Sequence, residues 1–111
     1  MVIDPRNLGN LMLANVEGKI KFLNIDNKYE ALHTPGFLSP VINTLTLDPN
    51  HPDTVFASTD SGAYISFDFG QTWNQINDGL LGATVVYSIV VDKDGNVYAA
   101  TPYGIFILQE K

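Results

Sequence analysis

Acidic side chains recur at one kind of position and are the first candidates for chemistry. Asp4, Asp48 and Asp92 each end a short apolar run, and successive members of this set are 44 residues apart. Carboxylates held at one end of neighbouring elements could surround a cation. An Asp before a turn also commonly accepts hydrogen bonds from its own backbone, and we favour this structural role at all three positions.

A second group of oxygen ligands stands in the turn that begins at the last of these aspartates. Asp92, Asp94 and Asn96 alternate along the chain as the first ligands of a calcium loop do, which makes them the metal candidates of the sequence. The terminal bidentate Glu of such a loop is missing at the required distance. Because Asp94-Gly95-Asn96 is typical of a tight hairpin, we favour that interpretation.

The composition excludes several classes of function. The 111 residues carry 6 Lys and Arg against 12 Asp and Glu, a formal net charge of -6, and Arg6 is the one arginine. This balance argues against nucleic acid as a partner, which requires a basic face. No apolar run approaches the roughly 20 residues that cross a bilayer, so no membrane partner is expected. The N-terminus lacks the features of a signal peptide, which leaves the compartment unknown.

Residue types that dominate many active sites are scarce. The chain has no cysteine, which excludes thiolate metal sites and a Cys nucleophile. Neither His33 nor His51 has another His or Cys two to four residues on, so both are predicted to be turn histidines. A serine nucleophile elbow, a phosphate-binding glycine loop and a His-Glu-x-x-His motif are all missing from the sequence. The sequence therefore predicts no catalytic residue and no cofactor.

An internal repeat organises the chain. Val41–Asp48 aligns with Val85–Asp92 at an offset of 44, and Leu11–Asn15 aligns with Val55–Thr59 at the same offset. In the third copy the first turn is shorter, and Val97–Thr101 follows at an offset of 42. The repeat predicts one structural unit used about three times, with units at 1–40, 41–84 and 85–111.

Each unit is predicted to consist of short β-strands. Strand-forming residues occur in short runs that Gly, Asn, Asp or Pro separates, and no helical period is sustained. The first strands are the apolar runs that end at Asp4, Asp48 and Asp92. The later strands are predicted at Leu11–Asn15, Val55–Thr59 and Val97–Thr101, then at Lys19–Phe22, Ala63–Ser66 and Ile105–Leu108, and finally at Tyr29–Leu32 and Trp73–Ile76.

The expected fold is all-β. Four antiparallel strands that recur about every 40–45 residues are typical of β-propeller blades, and this chain has about three of them. Residues 1–111 would then form a single partial propeller, with Asp4, Asp48 and Asp92 around one mouth of its central channel. A β-sandwich is the alternative, but it would not account for the repeat of 44 residues.

One segment of the middle unit carries a specific motif. The eight residues from Ser66 to Trp73 resemble the Asp-box, or bacterial neuraminidase repeat, Ser/Thr-x-Asp-x-Gly-x-Thr-Trp. The matching positions are Ser66, Asp68, Gly70, Thr72 and Trp73. In such a hairpin we expect Asp68 to accept backbone hydrogen bonds, Gly70 to take a positive φ and Trp73 to bury its ring. We therefore assign these five residues a structural role.

The resemblance is close in the middle unit and weak elsewhere. In the first unit Asn24, Asp26 and Tyr29 stand at the places of the motif's Asp, Gly and Trp. The resemblance implies a propeller similar to those of sialidases, sortilin-type receptors and photosystem-assembly factors, which are often secreted or periplasmic. Sialidases need an arginine cluster for the substrate carboxylate, which Arg6 alone cannot supply. An inverting glycosidase needs two facing carboxylates, and the Asp-rich composition does not exclude it.

Binding residues are expected on loops at one end of the blades. In propellers this end collects the loops that join the second strand to the third and one blade to the next. The side chains best suited there to contact a protein or a sugar are His33, Phe37, Asp60 and Tyr103. Phe37 could instead fill a gap between blades.

The number of units predicts self-association. About three blades are too few to close a ring, and the end blades would expose apolar faces. Further blades of a longer chain or other copies of this chain would cover them, and we favour a dimer with a ring of roughly six blades. The expected function is a non-enzymatic binding scaffold. The alternative is a glycan-binding or glycoside-hydrolase-related propeller whose catalytic residues lie partly outside this chain.

Overall fold

The computed structural model describes residues 2–4, 6, 9–14, 18–24, 29–33, 35–37, 41–76 and 85–108. Within these ranges the secondary structure consists of eleven β-strands, and all pairs between them are antiparallel. No helix in the described part of the chain is long and apolar enough to cross a membrane. The all-β class expected from the sequence is confirmed.

The strands form three sheets, in each of which consecutive strands lie side by side. The first sheet contains β1 (Val2–Ile3), β2 (Asn10–Ala14), β3 (Ile20–Asn24) and β4 (Tyr29–His33). The middle sheet contains β5 (Ile42–Asp48), β6 (His51–Thr59), β7 (Gly62–Ser66) and β8 (Asn74–Gln75). The third sheet contains β9 (Ser88–Val91), β10 (Val97–Thr101) and β11 (Gly104–Ile107). Each sheet corresponds to one predicted repeat unit, and the three sheets are compatible with propeller blades.

The middle sheet differs from the prediction mainly in two strands. β6 begins at His51 rather than Val55, because Asp48 pairs with His51 after an irregularity in the ladder that follows Leu47. The last strand of this sheet is reduced from the predicted Trp73–Ile76 to two residues. The turn between β5 and β6 is therefore tighter than expected, and the edge strand is shorter.

The repeat is visible in the pairing of the strands. Ile3 pairs with Leu11 in the first sheet, and Leu47 pairs with Val55 in the middle sheet, so both partners are displaced by 44 residues. Counted between repeat counterparts, the β2–β3 connection is one residue longer than the β6–β7 connection: Ala14 pairs with Ile20, six residues later, whereas Ser58 pairs with Ala63, five residues later. Through the β3–β4 pairing, Glu30 becomes the counterpart of Trp73, and the sequence alignment with Tyr29 is wrong by one residue. Neighbouring residues of a strand lie on opposite faces, so a shift of one residue exchanges the two faces.

Two apolar clusters flank the middle sheet. The first and middle sheets enclose one cluster, and the middle and third sheets enclose the other. The first cluster consists of Met12, Ile20, Leu45, Val55, Ala57 and Tyr64, and the second of Phe56, Ala63, Ile65, Val86, Ile89, Val97, Ala99 and Leu108. Successive residues of β6 alternate between the clusters, because side chains of a strand point to opposite faces. All five residues of β7 are buried.

Polar side chains also join the middle sheet to its neighbours. Three side chains near β5 donate to backbone carbonyls 43 residues later: Asn43 to Val86 at 2.8 Å, Thr46 to Ile89 at 2.8 Å and Asn50 to Lys93 at 3.0 Å. On the other side Arg6 Nη1 lies 2.7 Å from Asp53 Oδ1. The sheets are therefore held in one register by hydrogen bonds as well as by apolar packing.

Candidate functional site

The antiparallel pairing divides the molecule into two ends. The turns β2–β3, β6–β7 and β10–β11 lie at one end, which we call the Asp60 end. The turns β1–β2, β5–β6 and β9–β10 lie at the opposite end, which we call the Asp48 end. The turn from Ser66 to Trp73 joins β7 to β8 and belongs to the Asp48 end. Of the predicted binding residues, Asp60 and Tyr103 thus lie at the opposite end from the predicted structural motif.

Two equivalent turns shape the Asp60 end. Thr59 Oγ1 accepts from the backbone N–H of Ser61 at 3.0 Å and donates to the carbonyl of Gly62 at 2.8 Å. Forty-two residues later, Thr101 Oγ1 accepts from Tyr103 N–H at 3.1 Å and donates to the Gly104 carbonyl at 3.0 Å. These threonine-based turns fix the backbone of the turn tips, where Asp60 and Tyr103 lie.

Asn43 and Tyr87 complete an exposed polar surface at this end. Asn43 Nδ2 donates to Asp60 Oδ1 at 3.0 Å and to the carbonyl that precedes Tyr87 at 2.8 Å. The N–H of Tyr87 donates to the carbonyl of Ala100 at 2.8 Å, next to the second turn. Tyr87 is 54% exposed and Tyr103 is 78% exposed. We call Asn43, Asp60, Tyr87 and Tyr103 the Asp60 surface.

The sequence analysis missed two members of the Asp60 surface. Asn43 and Tyr87 are repeat counterparts, since they are 44 residues apart; Asn43 lies near the start of β5, and Tyr87 directly precedes β9. Their polar and aromatic types, next to strongly apolar runs, were the signal that could have revealed them. A repeat position that changes its residue type between units is open to a role other than the common scaffold.

The other two predicted binding residues lie near the first sheet. His33 ends β4 opposite Ile20, which places its backbone at the Asp60 end, while its side chain lies outside the described residues. The Phe37 ring stacks on Tyr64 with ring centres 4.2 Å apart and meets the edge of Trp73 at 5.3 Å. Phe37 packs against the cluster between the first and middle sheets, which is the position of a gap-filling residue.

The three recurring aspartates each bond to their own turn. An oxygen of each carboxylate accepts from the backbone N–H two residues later: Asp4 from Arg6, Asp48 from Asn50 and Asp92 from Asp94, all at 2.9 Å. Identical geometry in three units shows a shared turn design. Among the described residues, no group of three His, Cys, Asp or Glu side chains could hold a metal ion.

Asp92 makes the most bonds among the predicted metal candidates. Its Oδ1 accepts from the N–H groups of Asp94 and Asn96 at 2.9 Å each, and its Oδ2 accepts from Asn96 Nδ2 and the Tyr98 hydroxyl at 3.1 Å each. The Asn96 N–H in particular holds the pKa of Asp92 below its usual value. The bond to Asp92 raises the pKa of Tyr98. Gly95 has a φ of 88°, so the segment has the backbone of a tight hairpin.

Asp4 and Arg6 connect the first sheet to the middle sheet. Burial by itself raises the pKa of Asp4, but the hydrogen bonds and positive charge of Arg6 outweigh it and lower the pKa. Arg6 Nε and Nη2 lie 3.0 Å and 3.2 Å from the Asp4 carboxylate, and Nη1 reaches Asp53. The arginine is therefore engaged between two carboxylates, which is a structural arrangement.

The turn from Ser66 to Trp73 is held by a dense set of hydrogen bonds. Ser66 Oγ donates to Asp68 Oδ1 at 2.7 Å and accepts from Gly70 N–H at 2.7 Å. The Asp68 carboxylate accepts from the N–H and hydroxyl of Thr72 at 2.8 Å and 2.6 Å. Burial raises the pKa of Asp68, whereas the Thr72 and Ser66 bonds lower it, and the net change is a lowering.

Gly70 brings this turn against the first sheet. Its φ is 87°, and a Cβ placed there would lie 2.9 Å from Met12 Cε and 3.1 Å from Phe22 Cζ. Trp73 Nε1 donates to the Gly70 carbonyl at 3.1 Å, and the indole packs against the cluster between the first and middle sheets. The side chains of this turn therefore fasten the hairpin and join two sheets.

The described hollows lie away from the Asp60 surface. The larger one, of about 390 Å³, is lined mainly by first-sheet residues together with Phe69 and Gln71. A smaller one, of about 230 Å³, lies beside Asp48 and His51, whose Nδ1 is 3.2 Å from Asp48 Oδ2. Both belong to the Asp48 end. Neither hollow is lined by a residue of the Asp60 surface.

Comparison with known proteins supports the fold and leaves the activity open. The structure matches the crystal structure of an ancestral GH74 enzyme with a TM-score of 0.68 at 16% sequence identity. The match covers 90% of this chain and 13% of that chain. No family model matches the sequence, and no curated protein matches it. The likeness is therefore one of fold, and this chain spans a small part of the length of the GH74 enzyme.

Proposed function

We propose that the chain is a non-enzymatic Asp-box β-propeller module that binds a protein or other ligand through the Asp60 surface and completes its ring by self-association. The observation that carries the proposal is the exposure of Tyr87 and Tyr103 beside Asp60 and Asn43 at one end of two rigid sheets. Loops positioned by a rigid scaffold are the usual place for binding residues. Exposed tyrosines offer large contact areas at a low entropic cost.

Four observations support the propeller part of this proposal. The three sheets are antiparallel meanders, and two of them have four strands. The middle sheet packs between the other two. The bonds among Ser66, Asp68 and Thr72 hold the turn after β7 together, which supports our proposal of an Asp-box there. The likeness to the GH74 enzyme supports the same architecture.

The second candidate is a glycan-directed function, either binding or hydrolysis. It is favoured by the structural likeness to a GH74 enzyme and by the combination of tyrosines with a carboxylate and an amide. Glycoside hydrolysis generally uses two carboxyl groups on either side of the scissile bond. In the described part of the Asp60 end, Asp60 is the one carboxylate. Sugar binding is therefore better supported by these residues than hydrolysis.

Two sets of probes test the proposal on the intact chain. A peptide library displayed on phage and a glycan array would identify ligands, and a hydrolysis assay on plant polysaccharides would detect turnover. We expect ligands whose dissociation constants rise at least tenfold in Tyr103→Ala and Asp60→Asn, because both changes remove exposed contacts. The control is Phe67→Ala, which removes an exposed aromatic ring at the Asp48 end. Polysaccharide turnover, or ligands indifferent to both Asp60-surface variants, would contradict the proposal.

A further inference from the structure

The outer face of the third sheet is strongly apolar. Tyr98 lies opposite Val90 on one side and Ile107 on the other, and Ala100 lies opposite Ile105. Val90, Ile105 and Ile107 are all more than half exposed. We call these five residues the third-sheet face. Soluble proteins rarely leave a contiguous apolar surface of this kind uncovered unless another surface binds it.

The outer face of the first sheet has a matching character. Leu11 lies opposite Ile3 and Leu23, and Leu13 occupies the same face two residues on. Leu32 also lies on this face, across β3 from Leu13, and it is more than half exposed. We call these five residues the first-sheet face. Two described positions of this face carry charged residue types: Lys21, between Leu13 and Leu32, and Glu30, opposite Leu23.

The repeat shows what the third-sheet positions do when a neighbouring sheet is present. Forty-two residues before Ile105 and Ile107, the middle sheet carries Ala63 and Ile65. Both are buried in the cluster between the middle and third sheets. In the repeat, the third-sheet face therefore corresponds to the face of the middle sheet that packs on the third sheet.

The first-sheet positions have the complementary counterparts. Forty-four residues after Leu11 and Leu13, the middle sheet carries Val55 and Ala57. Both are buried in the cluster between the first and middle sheets. In the repeat, the first-sheet face therefore corresponds to the face of the middle sheet that packs on the first sheet. One chain thus exposes both halves of an interface that it forms twice internally.

We infer that the third-sheet face of one copy of this chain packs on the first-sheet face of a second copy, as the middle sheet packs on the third. The inference rests on the self-association in the proposed function and specifies its interface. Two such contacts related by a two-fold axis close a ring of about six sheets. A second copy fits for two reasons. The contacts within the chain already join the repeat counterparts of these two faces, and both faces are mainly apolar.

The new junction differs from the internal ones in its hydrogen bonds. In the middle sheet Asn43, Thr46 and Asn50 donate to the third sheet. Forty-four residues later these positions hold Tyr87, Val90 and Asp94, so an equivalent set of donors is not carried into the third-sheet face. The junction between copies therefore depends on apolar packing. Replacing one of the apolar side chains of either face by lysine removes packing area and buries an additional charge, and should weaken the junction.

A pair of complementary variants tests both the contact and its direction. Ile105→Lys places a charge in the third-sheet face, and Leu13→Lys places one in the first-sheet face. Sedimentation equilibrium and light scattering should find a dimer in the wild-type chain and a dissociation constant raised at least tenfold in each variant. Mixed in equal amounts, the variants should form a heterodimer, because one of the two junctions then contains no substitution.

The outcomes separate this geometry from the others. A stable wild-type monomer at concentrations up to about 100 micromolar overturns the inference. Dimerisation of Leu13→Lys alone would show third-sheet faces packing on each other, and dimerisation of Ile105→Lys alone would show the same for first-sheet faces. Either result contradicts the head-to-tail contact. Failure of the mixed sample to associate does so as well.

Two controls exclude misfolding and keep the proposed function separate. Phe67→Lys introduces the same charge at an exposed position outside both faces and should dimerise like the wild type. Circular dichroism should show native β-structure in all variants, and Leu32→Lys replaces Leu13→Lys if the latter does not fold. Ligand binding at the Asp60 surface is measured on the same variants. Binding without dimerisation would remove this inference but leave the binding function standing.

Discussion

The middle and third sheets carry the same repeat, yet they have very different surroundings. Ile65 is 2% exposed, whereas its counterpart Ile107 is 54% exposed. Ala63 is 0% exposed, and its counterpart Ile105 is 75% exposed. The strands alternate in the same way, and the exposed side chains are at least as apolar as the buried ones. Burial in this protein is therefore decided by which sheet lies next to a position, rather than by the residue that occupies it.

Turns of the middle and third sheets also differ in how closely other residues pack on them. In the middle sheet the Ser66–Trp73 turn reaches the first sheet through Gly70, while in the third sheet the Asp92 hairpin turns on Gly95 with open space around it. Both turns use a carboxylate that accepts backbone hydrogen bonds. The Gly70 turn is closely packed on the first sheet, whereas the third-sheet hairpin contacts the middle sheet through the hydrogen bond from Asn50 to Lys93. Substitutions in these two turns should therefore change the free energy of unfolding by different amounts.

The largest expected effect comes from the same substitution at two repeat counterparts. Ile65→Ala removes a side chain from a closed cluster and should lower the free energy of unfolding by about 2–5 kcal/mol. Ile107→Ala should lower it by less than about 1 kcal/mol in the monomer, because this side chain is already exposed. Urea unfolding at low protein concentration measures both values. Equal losses would refute the claim that neighbouring sheets decide burial.

The concentration dependence of that pair sharpens the comparison. If a second copy covers the third-sheet face, Ile107→Ala should become more destabilising as the protein concentration rises. The free energy of unfolding lost in Ile65→Ala should not change with protein concentration, because Ile65 is buried within a single chain. Repeating the urea titrations over a hundredfold range of concentration provides the check.

An intermediate effect is expected at two turn glycines. Gly70→Ala and Gly95→Ala both impose a positive φ on alanine, which costs about 1–2 kcal/mol. At Gly70 the new methyl group would also lie 2.9 Å from Met12 Cε, whereas at Gly95 nothing lies within 4 Å. Overpacking should add about 1–3 kcal/mol to the cost at Gly70 alone. Chemical denaturation gives the difference, and a larger loss for Gly95→Ala would contradict the close contact.

The smallest effect is expected at Asp68. Asp68→Asn should cost about 1 kcal/mol at pH 7, since it weakens bonds to Thr72 in a largely solvated turn. Because folding lowers the pKa of Asp68, its contribution is complete above about pH 4 and is lost as the pH falls through the folded value. Thermal unfolding between pH 7 and pH 2.5 should therefore show a shallower acid loss in Asp68→Asn. Asp94→Asn, which removes a carboxylate from the exposed third-sheet hairpin, is the control for the loss of one negative charge.

Sequence reasoning reached the strands and turns because their signals are local. The apolar runs before Asp48 and Asp92 and the Gly95 hairpin depend on residues within a few positions of each other. The placement of Asp60 and Tyr103 in equivalent turns followed from the repeat. The error at Tyr29 arose because a single extra residue in the β2–β3 turn leaves no clear mark in the sequence, yet it shifts all later pairings of that sheet.

The sequence by itself determined the all-β class, the repeat and the turn chemistry of this protein, since these depend on strand propensity, spacing and short-range hydrogen bonds. Only the tertiary structure decided that Asn43 bridges Asp60 and the strand before Tyr87, and that Phe37 stacks on Tyr64. It also decided which of two equivalent isoleucines is buried. These features depend on contacts between residues far apart in the chain, and a repeated sequence pattern is the same whether or not another sheet lies against it.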